Sequence, residues 1–139
     1  MDGKWDLSFL YSSFQDEAFE ADFAALPGMI DRIEEVLHSD LPTVERLEAL
    51  VDADEALSAL GDKVGSFIHL TTAVDADNED ANLYMDKFIR VRNKARLVDS
   101  AVTRYVGSIE NLEEVIASSE VLQKNDFYLR EEAEHARHM

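Results

Sequence analysis

Two Glu-x-x-His pairs, Glu35 with His38 and Glu132 with His135, are the first places where this chain could do chemistry. In a four-helix bundle such a pair holds a di-iron centre when a Glu from each of two other helices joins it, and every ligand must point inward. On a helical wheel Glu35 falls about 170° from the apolar line Ile30–Ile33–Leu37, and His38 about 110° from it. Glu132 lies near the Leu129–Ala133–Ala136 face, but His135 is about 120° away. The di-iron pattern therefore fails on its first helix. Glu131, His135 and His138 stand at i, i+4 and i+7 on one helical face. Two imidazoles and a carboxylate suit zinc, although acid and His four residues apart also make an ordinary surface ion pair. His69, between Ile68 and Leu70, reads as a packed or boundary histidine rather than a base. No phosphate-cradling glycine loop, no Gly-x-Ser-x-Gly elbow and no His-Glu-x-x-His is present, so the residues themselves nominate no catalytic, cofactor-binding or metal position.

The elements that would position these groups are helical. Phe19, Phe23, Leu26, Ile30, Ile33 and Leu37 recur in steps of four and three, predicting a first helix over about 15–38 capped by Ser13. Pro27-Gly28 interrupts it without shifting its phase, which predicts a kink or short break. After Pro42, placed where the first turn tolerates it, a second element runs over about 43–74. Its face moves from Val44, Leu47 and Val51 to Leu57, Leu60, Val64, Phe67 and Ile68, predicting a stutter or restart near Asp52–Glu55. A third helix, about 79–107, starts at Asp77 or Asn78 and ends near Gly107. It carries the most regular stripe: Tyr84, Phe88, Val91, Ala95, Val98, Val102, Tyr105 and Ile109. Helices over about 111–117 and 125–138 complete the C-terminal part, 111–138. With no convincing strand, the class is all-α. The chain is one domain, 1–139: an antiparallel bundle round a long helical hairpin, preceded by a short extended segment, 1–14.

Composition narrows the partners. Thirteen Lys+Arg against thirty Asp+Glu give a net charge of −17, a surface that repels phosphate backbones and argues against nucleic acid. The absence of cysteine removes disulfides, thiolate zinc sites and a cysteine nucleophile. No stretch approaches the roughly 20 apolar residues of a bilayer span, and "MDGKWD" lacks the basic and apolar regions of a signal peptide. The chain therefore reads as cytoplasmic and away from membranes. Lys87, Arg90, Arg92, Lys94, Arg96 and Arg104 concentrate positive charge on the third helix. The plainer reading has them flanking the seam and pairing with acidic neighbours. The alternative is a contact surface for an acidic partner or for a missing part of the same protein.

The opening stretch, Trp5-Asp6-Leu7-Ser8-Phe9-Leu10-Tyr11 followed by Phe14-Gln15-Asp16 and Phe19, resembles the start of the oligoendopeptidase F family of zinc metallopeptidases. In that family a Trp-Asp-Leu-Ser-x-Leu-Tyr opening leads through an F-x-D-x-x-F segment into the first helix. The helical hairpin broken by "DADNEDAN" is similar to the family's N-terminal region. The resemblance implies a parent enzyme that hydrolyses oligopeptides with a zinc-activated water. That zinc would be held by a His-Glu-x-x-His helix and a downstream Glu in a later, missing catalytic domain. No residue of this chain matches those positions, so the chain alone is expected to be inactive and to need no cofactor. Its helices would help wall the substrate channel, and apolar surface left by the absent domain would favour self-association. A free-standing acidic helical module that binds another protein is the alternative.

Overall fold

The computed structural model describes residues 10–139. Six helices follow in order: α1 (Glu17–Leu37), α2 (Thr43–Val74), α3 (Glu79–Gly107), α4 (Leu112–Ala117), α5 (Glu120–Lys124) and α6 (Asp126–Arg137). Among the described residues there is no strand. The fold is an all-α bundle in which α2 and α3 form the hairpin, α1 packs chiefly on α2, and α6 packs chiefly on α3.

The helix ends follow from side-chain caps, with one change from expectation. Asp16, not Ser13, caps α1: its carboxylate accepts from the Ala18 amide at 2.9 Å and from the Ser12 amide and hydroxyl at 3.0 Å. Those bonds to the charged form hold its pKa below the ordinary value, the Ser12 amide first. The Ser13 hydroxyl accepts from the Gln15 amide, closing the turn one step earlier. The Asn78 side chain caps α3 by accepting from the Ala81 amide at 2.9 Å. Pro42 is the residue before α2, its carbonyl accepting from the Arg46 amide at 2.8 Å. The short α5 escapes a periodicity reading because five residues barely exceed one turn. Ser119 fixes it, accepting from the Leu122 amide while donating to Glu48 of α2 at 2.7 Å.

Neither expected interruption breaks its helix. α1 runs unbroken through Pro27, since the buried Leu26 and Ile30 anchor it on both sides of the missing amide. α2 is likewise a single helix of 32 residues. Its face rotates because it serves two cores in succession, not because it restarts. Leu47, Leu50 and Val51 enter a core with Ile33 and Val36 of α1, Val102 and Val106 of α3, and the C-terminal helices. Val64, Phe67 and Ile68 enter another with Tyr11, Phe14, Phe19, Leu26 and Ala81. Leu57 touches both. The α3 stripe divides the same way. Tyr84, Phe88 and Val91 lie against the second core, whereas Val98, Val102, Tyr105 and Ile109 join the first. It is therefore not one continuous seam with α2.

The second core is aromatic. Phe19, fully buried, has Tyr11 and Phe14 edge-on at 5.2 and 5.1 Å, with Tyr84 edge-on at 4.9 Å and Phe67 at 5.5 Å. Phe14 stacks on Tyr84 at 5.4 Å. Tyr11 donates to Asp22 at 2.7 Å beneath the Lys63 ammonium, which lies 4.7 Å from its ring centre. The stretch before α1 is thus fastened to α1, α2 and α3 by rings that prefer such tilted contacts. Trp5, Leu7 and Phe9 lie outside the described residues.

At the other end, Gly107 marks the crossing of α3 and α6. A Cβ there would collide with the Ala136 methyl, which cannot yield without moving backbone. Gly107→Ala is expected to destabilise the protein by about 1–3 kcal/mol through overpacking, and Phe19→Ala by about 3–5 kcal/mol through loss of a buried ring. Urea unfolding checks both. Gly28→Ala, where a Cβ meets nothing within 4 Å, is the control and should not lower stability.

Candidate functional site

One place where the fold gathers polar and ionisable groups is the junction of α2, α3 and α6. A cleft of about 340 Å³ opens there, with Asp54 of α2, Arg92, Arg96 and Asp99 of α3, and Tyr128 of α6 on its walls. Glu132, one turn beyond Tyr128, is buried and meets the Thr103 hydroxyl. Each position follows from simple geometry. Asp99 and Thr103 are one turn apart on the flank of the α3 stripe, beside Val102 and Val106. Tyr128 and Glu132 are one turn apart on the α6 face that carries Leu129.

Burial biases this cluster toward its protonated forms. It raises the carboxyls of Asp54, Asp99 and Glu132 above their ordinary values, and mutual repulsion adds to the effect at Asp54 and Glu132. His135 opposes the shift at Asp99 and Glu132, as does the Thr103 hydrogen bond at Glu132. Burial also raises the Tyr128 phenol, reinforced by Asp54, Glu132 and Asp99, so Tyr128 stays neutral. The Thr103 hydroxyl faces two acceptors, the Asp99 carbonyl at 3.0 Å and Glu132 Oε2, and has one proton to give. A protonated Glu132 fills the second bond with its own proton. An ionised one forces Thr103 to abandon the Asp99 carbonyl. The arrangement thus favours the protonated form of Glu132 at the α3–α6 contact.

Most groups singled out from sequence do not converge. The Glu35 side chain is 70% exposed and pairs with Arg32 at 3.8 Å, and His38 is exposed at the C-terminal cap of α1. His135 approaches Glu131 at 3.9 Å, but His138 turns to Glu134 at 3.2 Å, so the three expected on one face do not meet. The i+7 step carries His138 past the last turn of α6, where the i−4 carboxylate is nearer. Among the described residues no three His, Cys, Asp or Glu are disposed to hold a metal ion. His69 is exposed rather than packed. It stands on the rim of a more apolar cleft of about 660 Å³ between α2 and α3, floored by Leu26 and Ile30 of α1.

The α3 cations also depart from expectation. Among the described residues, Lys94 alone of the six reaches a carboxylate, Asp31 of α1, at 2.8 Å. Lys87 lies over the Tyr84 ring at 4.9 Å. Among the described residues, Arg90, Arg92, Arg96 and Arg104 have no carboxylate within ion-pair distance. Asp54, Asp99, Thr103 and Tyr128 were not marked as site residues by sequence. The available signal was a pair of polar residues at i and i+4 beside two buried valines, and it gave no hint of the partners on α2 and α6.

Comparison of the chain with family models, curated proteins and solved structures finds no match.

The raised pKa of Glu132 has a measurable consequence. Its folded pKa lies above the ordinary 4.5, so the stability it contributes is full below that value and is lost as pH rises through the folded pKa. Glu132→Gln, an uncharged mimic of the protonated acid, should equal the wild type near pH 4 and exceed it at neutral pH. Thr103→Val should lose about 1–3 kcal/mol by stranding the carboxyl. Urea titrations at stepped pH on all three proteins check the pattern.

Proposed function

We propose that this chain is the N-terminal, non-catalytic helical domain of a zinc metalloendopeptidase similar to oligoendopeptidase F. The parent would hydrolyse oligopeptides in the cytoplasm, with zinc and the catalytic residues carried by a separate C-terminal domain. On this reading α1–α6 help wall a channel that admits short peptides and excludes folded proteins. The observation that carries the proposal is the Trp5–Phe19 opening, with its Trp-Asp-Leu-Ser-x-Leu-Tyr order and the Phe14, Asp16 and Phe19 that follow. Burial of Tyr11, Phe14 and Phe19 in one aromatic core supports it, giving the described part of that stretch a reason to have this form: it fastens the entry of the chain to the hairpin. The cytoplasmic assignment is supported by the lack, among the described residues, of any helix long and apolar enough to cross a membrane.

Zinc, when bound in the parent, would polarise the scissile carbonyl and generate the attacking hydroxide; no residue of this chain is assigned to hold it. The isolated chain is expected to show no peptidase activity and to self-associate through surface that the rest of the enzyme would cover.

An antibody raised to this chain, used on extracts of its source cells, provides the direct test. The expected band is several times heavier than 15.7 kDa, and the protein it captures should cleave short peptides until zinc is chelated. A band at 15.7 kDa, or a larger product with no chelator-sensitive cleavage, would overturn the proposal.

A further inference from the structure

α6 is held to the bundle by little apolar surface. Of its two buried side chains, Leu129 and Glu132, only the first is apolar. Tyr128 and Ala133 are partly buried beside it. The tie from Arg130 to Glu113 of α4 is exposed on both sides and adds little stability. The aromatic core that joins α1, α2 and α3 contains no residue of α4, α5 or α6, so the first three helices keep one complete core if α6 leaves. Few buried apolar contacts mark an element that opens ahead of the rest of a fold. The other buried side chain works against docking when it is charged. Glu132 is 8% exposed, and among the described residues no Lys, Arg or His lies within ion-pair distance of it. Its hydrogen-bond partner, the Thr103 hydroxyl, has a second acceptor in the Asp99 carbonyl at 3.0 Å and one proton for the two.

We infer that α6 is a proton-dependent clasp: it closes on α3 when Glu132 is protonated and opens, with α1–α3 still folded, when Glu132 ionises. An unpaired charge is costly to bury, and on α6 that cost is set against a single buried leucine. The charged groups that bear on Glu132 are Asp99 of α3, Asp54 of α2 and His135 of α6. The two carboxylates disfavour its ionised form, and His135 favours it. Tyr128, raised by burial, adds no charge. Arg92 and Arg96 line the neighbouring cleft. Once α6 is open, the hydrated carboxyl titrates at its ordinary value of 4.5, whereas docked it titrates higher. The docking it supports is therefore full below 4.5 and weakens as pH rises, by up to about tenfold per pH unit, until the docked pKa is passed. Asp54 and Asp99, also raised by burial, act in the same direction where opening hydrates them. The clasp concerns one helix rather than the whole fold, and it does not depend on the peptidase reading.

The test is hydrogen exchange of the whole 139-residue chain, read by mass spectrometry of its peptides from about pH 4 to about pH 7.5. Dividing each rate by the intrinsic rate at that pH leaves the opening equilibrium of each segment. In the wild type, protection of α6 should fall several-fold across the range relative to that of α1 and α2. Glu132→Gln, whose amide cannot ionise, should remove most of that fall. Glu35→Gln, at an exposed carboxyl, should keep it. If circular dichroism shows Glu132→Gln unfolded, Glu132→Leu takes its place, since Thr103 retains the Asp99 carbonyl as its acceptor. Protection of α6 that falls no further than that of α1 and α2 would overturn the clasp. So would loss of the fall in Glu35→Gln. A fall kept in full by Glu132→Gln would also overturn it, placing the titration at Asp54 or Asp99 instead.

Discussion

The structure depends on one helix having to satisfy two cores. α2 is long enough for its N-terminal half to face Ile33, Val36 and the C-terminal helices and for its C-terminal half to face the aromatic group. An α-helix cannot turn its apolar line at will, so the change of partner is written as a change of face. α1 and α3 follow it, each contributing one end to either core. The opening stretch can then close the second core from outside, with Tyr11 and Phe14 filling space that α1, α2 and α3 leave at their common end. At the opposite end the small residues Gly107 and Ala136 let α6 lie close along α3, which brings Glu132 to Thr103.

Acidity shapes the interior as well as the surface. With so many carboxylates, some fall at helix contacts, and Asp54, Asp99 and Glu132 converge near Tyr128 without a basic partner to neutralise them. Arg92 and Arg96 line the same cleft, but among the described residues neither has a carboxylate within ion-pair distance, and His135 opposes the shift at Asp99 and Glu132. Burial shifts such a carboxyl toward its protonated form, which costs less than burying an uncompensated charge. The surface shows the reverse economy. Arg130 forms a forked pair with Glu113 at 2.9 and 3.0 Å and also reaches Asp126 at 2.7 Å, tying α4 to α6 across exposed side chains. Such pairs set register more than they add stability.

Much of the fold was legible because its signals are local. The α3 boundaries at Asn78 and Gly107 follow from a cap and a glycine, and the α2 end at Val74 follows from where its apolar periodicity stops. The all-α class follows from uniform helical spacing and the scarcity of turn residues. Several local readings changed, three of them as follows. Asp16 outcompeted Ser13 because its carboxylate gathers three donors at once. The Asp52–Glu55 box stayed inside α2 because packing held both halves in one helix. α5 lay below the length at which periodicity speaks. The histidine and Glu-x-x-His sites, weighed by wheel position, separated largely as those positions implied: Glu132 went inward, Glu35 and His38 outward.

By itself, then, the sequence determined the helical class, the extents of the three long helices, the acidic surface and the aromatic character of the opening stretch, since each arises within a few residues along the chain. The tertiary structure alone decided that α2 serves two cores, that Glu132 meets Thr103 beside Asp54 and Asp99, and that the α3 arginines have no carboxylate within ion-pair distance among the described residues. Those facts concern which face of one helix meets which face of another. Periodicity reports that a face is apolar, but the identity of its partner is settled only when all the helices compete for the same buried volume.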